Sequence, residues 1–172
     1  MITISPLHST SVFFSQINIS LPEPLNYTLS AFWIVGITNA INWLDGLDAL
    51  AGGYCTILSL GLFILMLQQG NIIGILFFSI ILGSIIGFLI RNFKPAFYIM
   101  GDCGSNFLGY CLSASSLLFL PNSSSGAMPI FYLILIFSLP LGDMFLVIVG
   151  RFLRNQNIFL PDKNHIHHRL MN

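Results

Sequence analysis

From residue 29 onward the chain reads as long apolar runs separated by short polar or turn-forming breaks. The runs cover residues 29–44, 51–69, 71–90, 104–120 and 128–149, each near the roughly 20 residues a helix needs to cross a bilayer. They predict an all-α, polytopic transmembrane helix bundle of about five spans. Residues 1–28 have another character. Ile17, Ile19 and Leu21 alternate there with Gln16, Asn18 and Ser20, the period of two that marks a strand. Ile2 and Ile4 repeat it weakly across a turn at residues 6–11, so a short extracytoplasmic β-hairpin is expected, ended by Pro22 and Pro24.

Composition strengthens the membrane reading. The chain is 55% hydrophobic and only 7% charged, where a soluble domain carries roughly a quarter charged residues. Its net charge of zero argues against nucleic acid as a partner. Cys55, Cys103 and Cys111 show no metal-type spacing and are expected to be free thiols. No basic start leads into a short apolar stretch and cleavage site, so no signal peptide is expected.

Charge then orients the bundle. Arg91 and Lys94 follow the third run, and Arg151, Arg154, Lys163 and Arg169 follow the fifth. The opposite connections, 68–71 and 121–126, carry no charge. The positive-inside rule places the basic ends in the cytoplasm, residues 1–28 outside, and the tail 150–172 inside. Asp45, Asp48, Asp102, Asp143 and Asp162 fall on the same face, with His165, His167 and His168, while Glu23 and His8 lie outside. Ionisable groups at a membrane edge are functional candidates, and their gathering on one face predicts chemistry on something charged.

Three stretches carry that chemistry. In 39–53, NAINWLDGLDALAGG, Asn39, Asn42, Asp45 and Asp48 recur every third residue, and neighbours so spaced on a helix lie one above the next. They suit a site for a cation or the polar head of a ligand, the reading preferred over Asp45 and Asp48 as caps of the following helix. In 91–105, RNFKPAFYIMGDCGS, Pro95 breaks the third span and Asp102 sits between Gly101 and Gly104. Such a turn can aim backbone N–H groups at phosphate and hold Mg²⁺ through one carboxylate; the simpler reading is a loop with Asp102 or Ser105 as a helix cap. In the tail, Arg154 and the run PDKNHIHHR suit phosphate binding or acid–base chemistry better than a structural zinc site. Asp143, after Pro140-Leu141-Gly142, is as well suited to a buried structural bond as to catalysis. Trp33 and Trp43, near span ends, are expected as interface anchors.

Taken in order, NAINWLDGLDALAGG, NFKPAFYIMGDCGSN, LPLGD and PDKNHIHHR resemble the signatures of the polyprenyl-phosphate N-acetylhexosamine-1-phosphate transferases, of glycosyltransferase family 4 type. These integral membrane enzymes join a sugar-1-phosphate from a UDP-sugar to a lipid phosphate. The resemblance covers nearly all of the chain after residue 28. It implies that Asp102 is a Mg²⁺ ligand (Mn²⁺ being the alternative), and that Asp45 and Asp48, with Asn42, line the nucleotide and catalytic pocket. It also implies that Asn92 lies near the uracil, and that His165, His167 and His168 contact the diphosphate, beside Arg154 and the Gly101 turn. The HIHH form is similar to the branch that transfers N-acetylglucosamine-1-phosphate; the phospho-MurNAc-pentapeptide branch carries three adjacent histidines. Ala49 stands where the family usually has Gly, and Ile99 where an aromatic is common.

The resemblance is to the family's C-terminal half. The first half, with its Asp-Asp pair, has no counterpart, so a missing N-terminal half or a second copy is an expected partner, beside UDP-N-acetylhexosamine, polyprenyl phosphate and membrane lipid. The expected place is a bacterial-type plasma membrane with the active face cytoplasmic. The competing class is a non-catalytic membrane remnant or subunit. A transporter fits less well, since no ionisable group marks a path through the outer halves of the spans.

Overall fold

The computed structural model describes residues 23–119 and 128–153. The expected hairpin strands at 1–21 and the tail from Arg154 onward lie outside these residues. Every regular element described is a helix: α1 (Glu23–Leu44), α2 (Leu50–Gln69), α3 (Ile72–Asn92), α4 (Gly101–Leu118), α5 (Met128–Ile136) and α6 (Ser138–Leu153). The three described cysteines are free.

Two boundaries differ from the sequence reading. The first helix starts at Glu23 rather than at residue 29, so residues 23–28 are helical. Pro24 starts this helix instead of ending a strand, because a first-turn residue has no intrahelical use for an N–H; Thr28 Oγ1 then donates to the Pro24 carbonyl at 2.8 Å. The fifth run is two helices broken at Phe137. Pro140 has no N–H to give the Ile136 carbonyl one turn earlier, and Tyr54 Oη of α2 donates to that carbonyl at 2.7 Å instead.

Helices α2 and α3 are each long and apolar enough to cross a membrane. They form a hairpin through a turn in which Asn71 caps α3, its side chain accepting from the Gly74 N–H at 3.0 Å. The buried face of α3 is Phe78, Ile81, Ile85 and Leu89, at the spacing of a helical stripe. Its opposite face is also apolar, with Ile72, Leu76, Ile80 and Ile90 exposed, the pattern of a helix that meets lipid rather than water.

The other principal pairing is α1 with α4, and α6 also packs on α1. Helices in lipid gain little from hydrophobic transfer, so close packing of small residues and hydrogen bonds hold them together. Gly109 of α4 meets the backbone of α1: a Cβ there would stand 2.8 Å from the Thr38 Cα. Buried Ser105, Ser113 and Ser116 continue the small-residue face. Trp33 donates from Nε1 to Ser116 Oγ at 3.4 Å and packs edge-on against Phe137 at 5.4 Å. Ile37, Ile41, Leu58, Leu62, Phe78 and Leu112 fill the centre.

Candidate active site

The α1–α4 pairing brings two short segments together at one end of the bundle. One is the turn from Asp45 to Ala49, between α1 and α2. The other runs from Arg91, at the end of α3, to Ser105 in the first turns of α4.

Of the residues that recur every third position, only Asn39 and Asn42 are helical; α1 stops at Leu44, and the two carboxylates lie in the turn. Neither carboxylate caps α2. The residue before that helix, Ala49, adopts a left-handed conformation (φ 64°) and no side chain caps the helix. Asp48 reaches across to the second segment instead, where Oδ2 accepts from the Ala96 N–H at 3.3 Å. Asn39 is outside the site, its Nδ2 donating to Val35 O within its own helix.

Asn92 locks the two segments to each other. Its Oδ1 accepts from the Ala49 N–H at 2.9 Å, and its Nδ2 donates to the Tyr98 carbonyl at 2.7 Å. The side chain is 5% exposed, so this amide acts on backbone on both sides. The Phe97 and Tyr98 N–H groups both donate to the Arg91 carbonyl, which closes 91–98 into a compact loop.

Asp102 lies in the first turn of α4, one residue after Gly101. Gly101 also has positive φ (64°), a conformation that costs glycine little. Its backbone N–H favours the charged form of the Asp45 carboxylate. Burial holds that carboxyl above the usual carboxylate range; the Gly101 N–H opposes the rise, and the charge of Asp102 adds to it. Asn42 ties the arrangement together, donating from Nδ2 to Asp102 Oδ1 at 3.2 Å and to Ser105 Oγ at 2.9 Å. Ser105, fully buried, donates in turn to the Gly101 carbonyl at 3.0 Å. It is part of this network rather than a helix cap, and its position one turn along from Gly101 is the sequence signal that would have found it.

Thus Asn42, Asp45, Asp48, Asn92, Gly101 and Asp102 come together from stretches some 60 residues apart. Asp143 is buried in α6. Arg154, His165, His167 and His168 lie outside the described residues. Among the described residues no three of His, Cys, Asp and Glu cluster, so the site offers a pair of coupled carboxylates rather than a closed metal cage. Such a pair suits a hard cation that keeps waters and takes phosphate oxygens.

Comparison with known proteins gives this arrangement a context. Residues 1–120 match the family described as Glycosyl transferase family 4. A probable undecaprenyl-phosphate N-acetylglucosaminyl 1-phosphate transferase of Bacillus subtilis is 45% identical over 145 residues, covering 84% of this chain and 40% of that protein. A decaprenyl-phosphate N-acetylglucosaminephosphotransferase of Mycobacterium leprae is 34% identical over 171 residues, covering 89% of this chain and 43% of that protein. A phospho-N-acetylmuramoyl-pentapeptide-transferase of Levilactobacillus brevis is 37% identical over 135 residues, covering 78% and 40%. The chain therefore spans less than half the length of these relatives.

Proposed function

The chain belongs to glycosyl transferase family 4, and from that premise we propose that it takes part in moving N-acetylglucosamine-1-phosphate from UDP-N-acetylglucosamine to a polyprenyl phosphate, at the cytoplasmic face of a bacterial-type plasma membrane. The observation that carries the reading is the bond from the Asn42 amide to the Asp102 carboxylate, with the charge of Asp102 felt at Asp45 across the same junction. Similarity to the Bacillus subtilis protein favours N-acetylglucosamine over a muramoyl donor, since it is higher and covers more of this chain than that to the Levilactobacillus brevis protein.

In the proposed reaction an oxygen of the lipid phosphate forms a bond to the sugar-linked phosphorus, and the bond from that phosphorus to the oxygen of UMP breaks. Two anions have to approach, so positioning and charge neutralisation dominate the barrier. Mg²⁺, held by Asp102 with Asp45, would neutralise charge on the phosphate oxygens. Asn42 fixes one oxygen of Asp102 and, through Ser105, ties that orientation to the α1–α4 packing. Asp48 and Asn92 keep the 91–100 loop seated on the turn. Arg154, His165, His167 and His168 complete the proposal as groups for the diphosphate.

The test uses membranes from cells lacking their own transferase, expressing this chain and supplied with labelled UDP-N-acetylglucosamine, polyprenyl phosphate and Mg²⁺. Labelled lipid and released UMP are expected, with UDP-MurNAc-pentapeptide a poorer donor. Asp102→Asn should lower lipid formation by about 100-fold or more, the scale of losing a key charge-stabilising group. Unchanged turnover in that variant would sink the role of Asp102. The length of the chain relative to its relatives favours a second reading, a subunit that binds without turnover; no lipid product above the empty-vector level selects it.

A further inference from the structure

The seam between α1 and α4 is tightest where Gly109 meets Thr38. One helical turn further along both helices, Ser105 stands opposite Asn42. Ser105 is 0% exposed, so its hydroxyl has only protein groups to bond. A serine hydroxyl has one proton to give and lone pairs that accept. The Gly101 carbonyl at 3.0 Å and the Asp102 carbonyl at 3.4 Å can only accept, so the Ser105 proton points at them. Its lone pairs are left for the Asn42 amide, 2.9 Å away.

That commitment decides which way the amide faces. A carbonyl oxygen set against a lone pair is repelled, so Asn42 has to turn its NH₂ group inward. One hydrogen of Nδ2 meets Ser105 Oγ and the other meets Asp102 Oδ1 at 3.2 Å. The reversed amide would oppose two acceptors with a third, and unmatched polar groups cost more than a made bond gains. Among the described residues no bond engages Asn42 Oδ1 or Asp102 Oδ2. The Asp102 anchor is strong only while its carboxylate charge is free. Once a cation or a donor takes that charge, the amide depends on its second anchor, Ser105.

We propose that Ser105 is a positioning residue, whose hydroxyl fixes the Asn42 amide with its NH₂ toward Asp102. One carboxylate oxygen is thereby held, and the other, with the Asn42 carbonyl, is left to accept from what enters the site. Ser105 acts through Asn42 and touches no substrate. The identity of what enters rests on the transfer reading; the orientation of the amide does not.

The orientation is tested by nuclear magnetic resonance on the metal-free full chain in detergent, with isotopically labelled asparagine. The Asn42 side-chain signal is the one that disappears in Asn42→Asp, and slow hydrogen exchange is expected for it. Ser105→Ala removes the hydroxyl, and Ser105→Cys keeps the volume but accepts weakly. Each should speed this exchange about fivefold, the equilibrium worth of one hydrogen bond, and Ser105→Thr should restore slow exchange. Exchange as slow in Ser105→Ala and Ser105→Cys as in the wild type overturns the proposal. Equal acceleration at the Asn92 amide, which bonds Ala49 and Tyr98, overturns it too, because the packing and not one bond has then loosened.

Binding of Mn²⁺, read by electron paramagnetic resonance, carries the orientation to the cation site. Ser105→Ala should weaken it about tenfold, as loss of an outer-shell partner does. Added to Asn42→Ala, the same change should weaken it no further, because both act on one amide; additive losses overturn the route through Asn42. A wild type that holds Mn²⁺ no better than Asp102→Asn overturns the cation reading of Asp102 instead, and amide exchange still decides the orientation.

Discussion

At Ala49 a methyl group occupies a left-handed backbone conformation (φ 64°), which costs an L-residue roughly 1–2 kcal/mol. The Asn92 Oδ1 bond to its N–H helps hold it there, and the family's usual Gly at this position has a physical reason. Ala49→Gly should therefore raise the unfolding free energy by about 1 kcal/mol, read as a higher thermal midpoint in detergent; an unchanged or lower midpoint would show that the strain is relieved elsewhere. Asp45 makes a second residue-level prediction. Burial, with the charge of Asp102 and against the Gly101 N–H, raises its carboxyl above the usual 3.8. The folded protein thus keeps a proton where the unfolded chain has already lost it. The contribution of this group to stability is greatest below 3.8 and declines as pH rises through the window up to the folded value. Asp45→Asn removes that decline. With chelator present, the variant should be the more stable form at pH 7, and the gap should close as the pH falls toward 3.8. A gap that stays constant with pH would refute the linkage.

Among the elements, the broken fifth run shows how a helix is shaped by one missing donor. Its hydropathy is continuous across 128–149, so the apolar pattern reads as one span. Pro140 nevertheless leaves the Ile136 carbonyl without its intrahelical partner, and the Tyr54 hydroxyl supplies one from another helix. Tyr54→Phe should cost about 1–3 kcal/mol, the penalty for stranding a buried carbonyl, and should speed hydrogen exchange around Phe137. A variant with wild-type stability and exchange would mean that the carbonyl finds another donor. The start of α1 has the same lesson in reverse, since Pro24 looks like a breaker in the sequence and serves as a first-turn residue. Proline's effect depends on which side of it the helix lies, and hydrophobic periodicity does not record that.

For the whole molecule, the pairing of α1 with α4 decides whether the site exists. Gly109 lets the two backbones meet, and the Asn42 bonds to Asp102 and Ser105 form on the same seam. Gly109→Val should separate the helices by cost of a Cβ placed 2.8 Å from the Thr38 Cα, destabilising the fold by about 1–3 kcal/mol. A crosslink between cysteines placed on α1 and α4 should weaken with it, and retention of both stability and crosslink would sink this account. Much of this protein was legible in its residues. Long apolar runs have to become helices, because a bilayer leaves backbone groups no other partner. Asn42, Asp45, Asp48, Asn92, Gly101 and Asp102 stood out as polar or turn-forming groups at the edges of those runs. Their bonding was not legible. Periodicity gives the face of a helix and not the helix it meets. The bonds of the Asn92 amide to Ala49 and Tyr98 could not be read from it, nor could the loss of the alternative reading of Asp45 and Asp48 as caps. The sequence by itself determined that the apolar runs become helices and which polar groups stand at their ends, since both are properties of local composition. Only the tertiary structure decided that the turn after α1 closes on the start of α4, since that depends on the shapes of two surfaces some 60 residues apart.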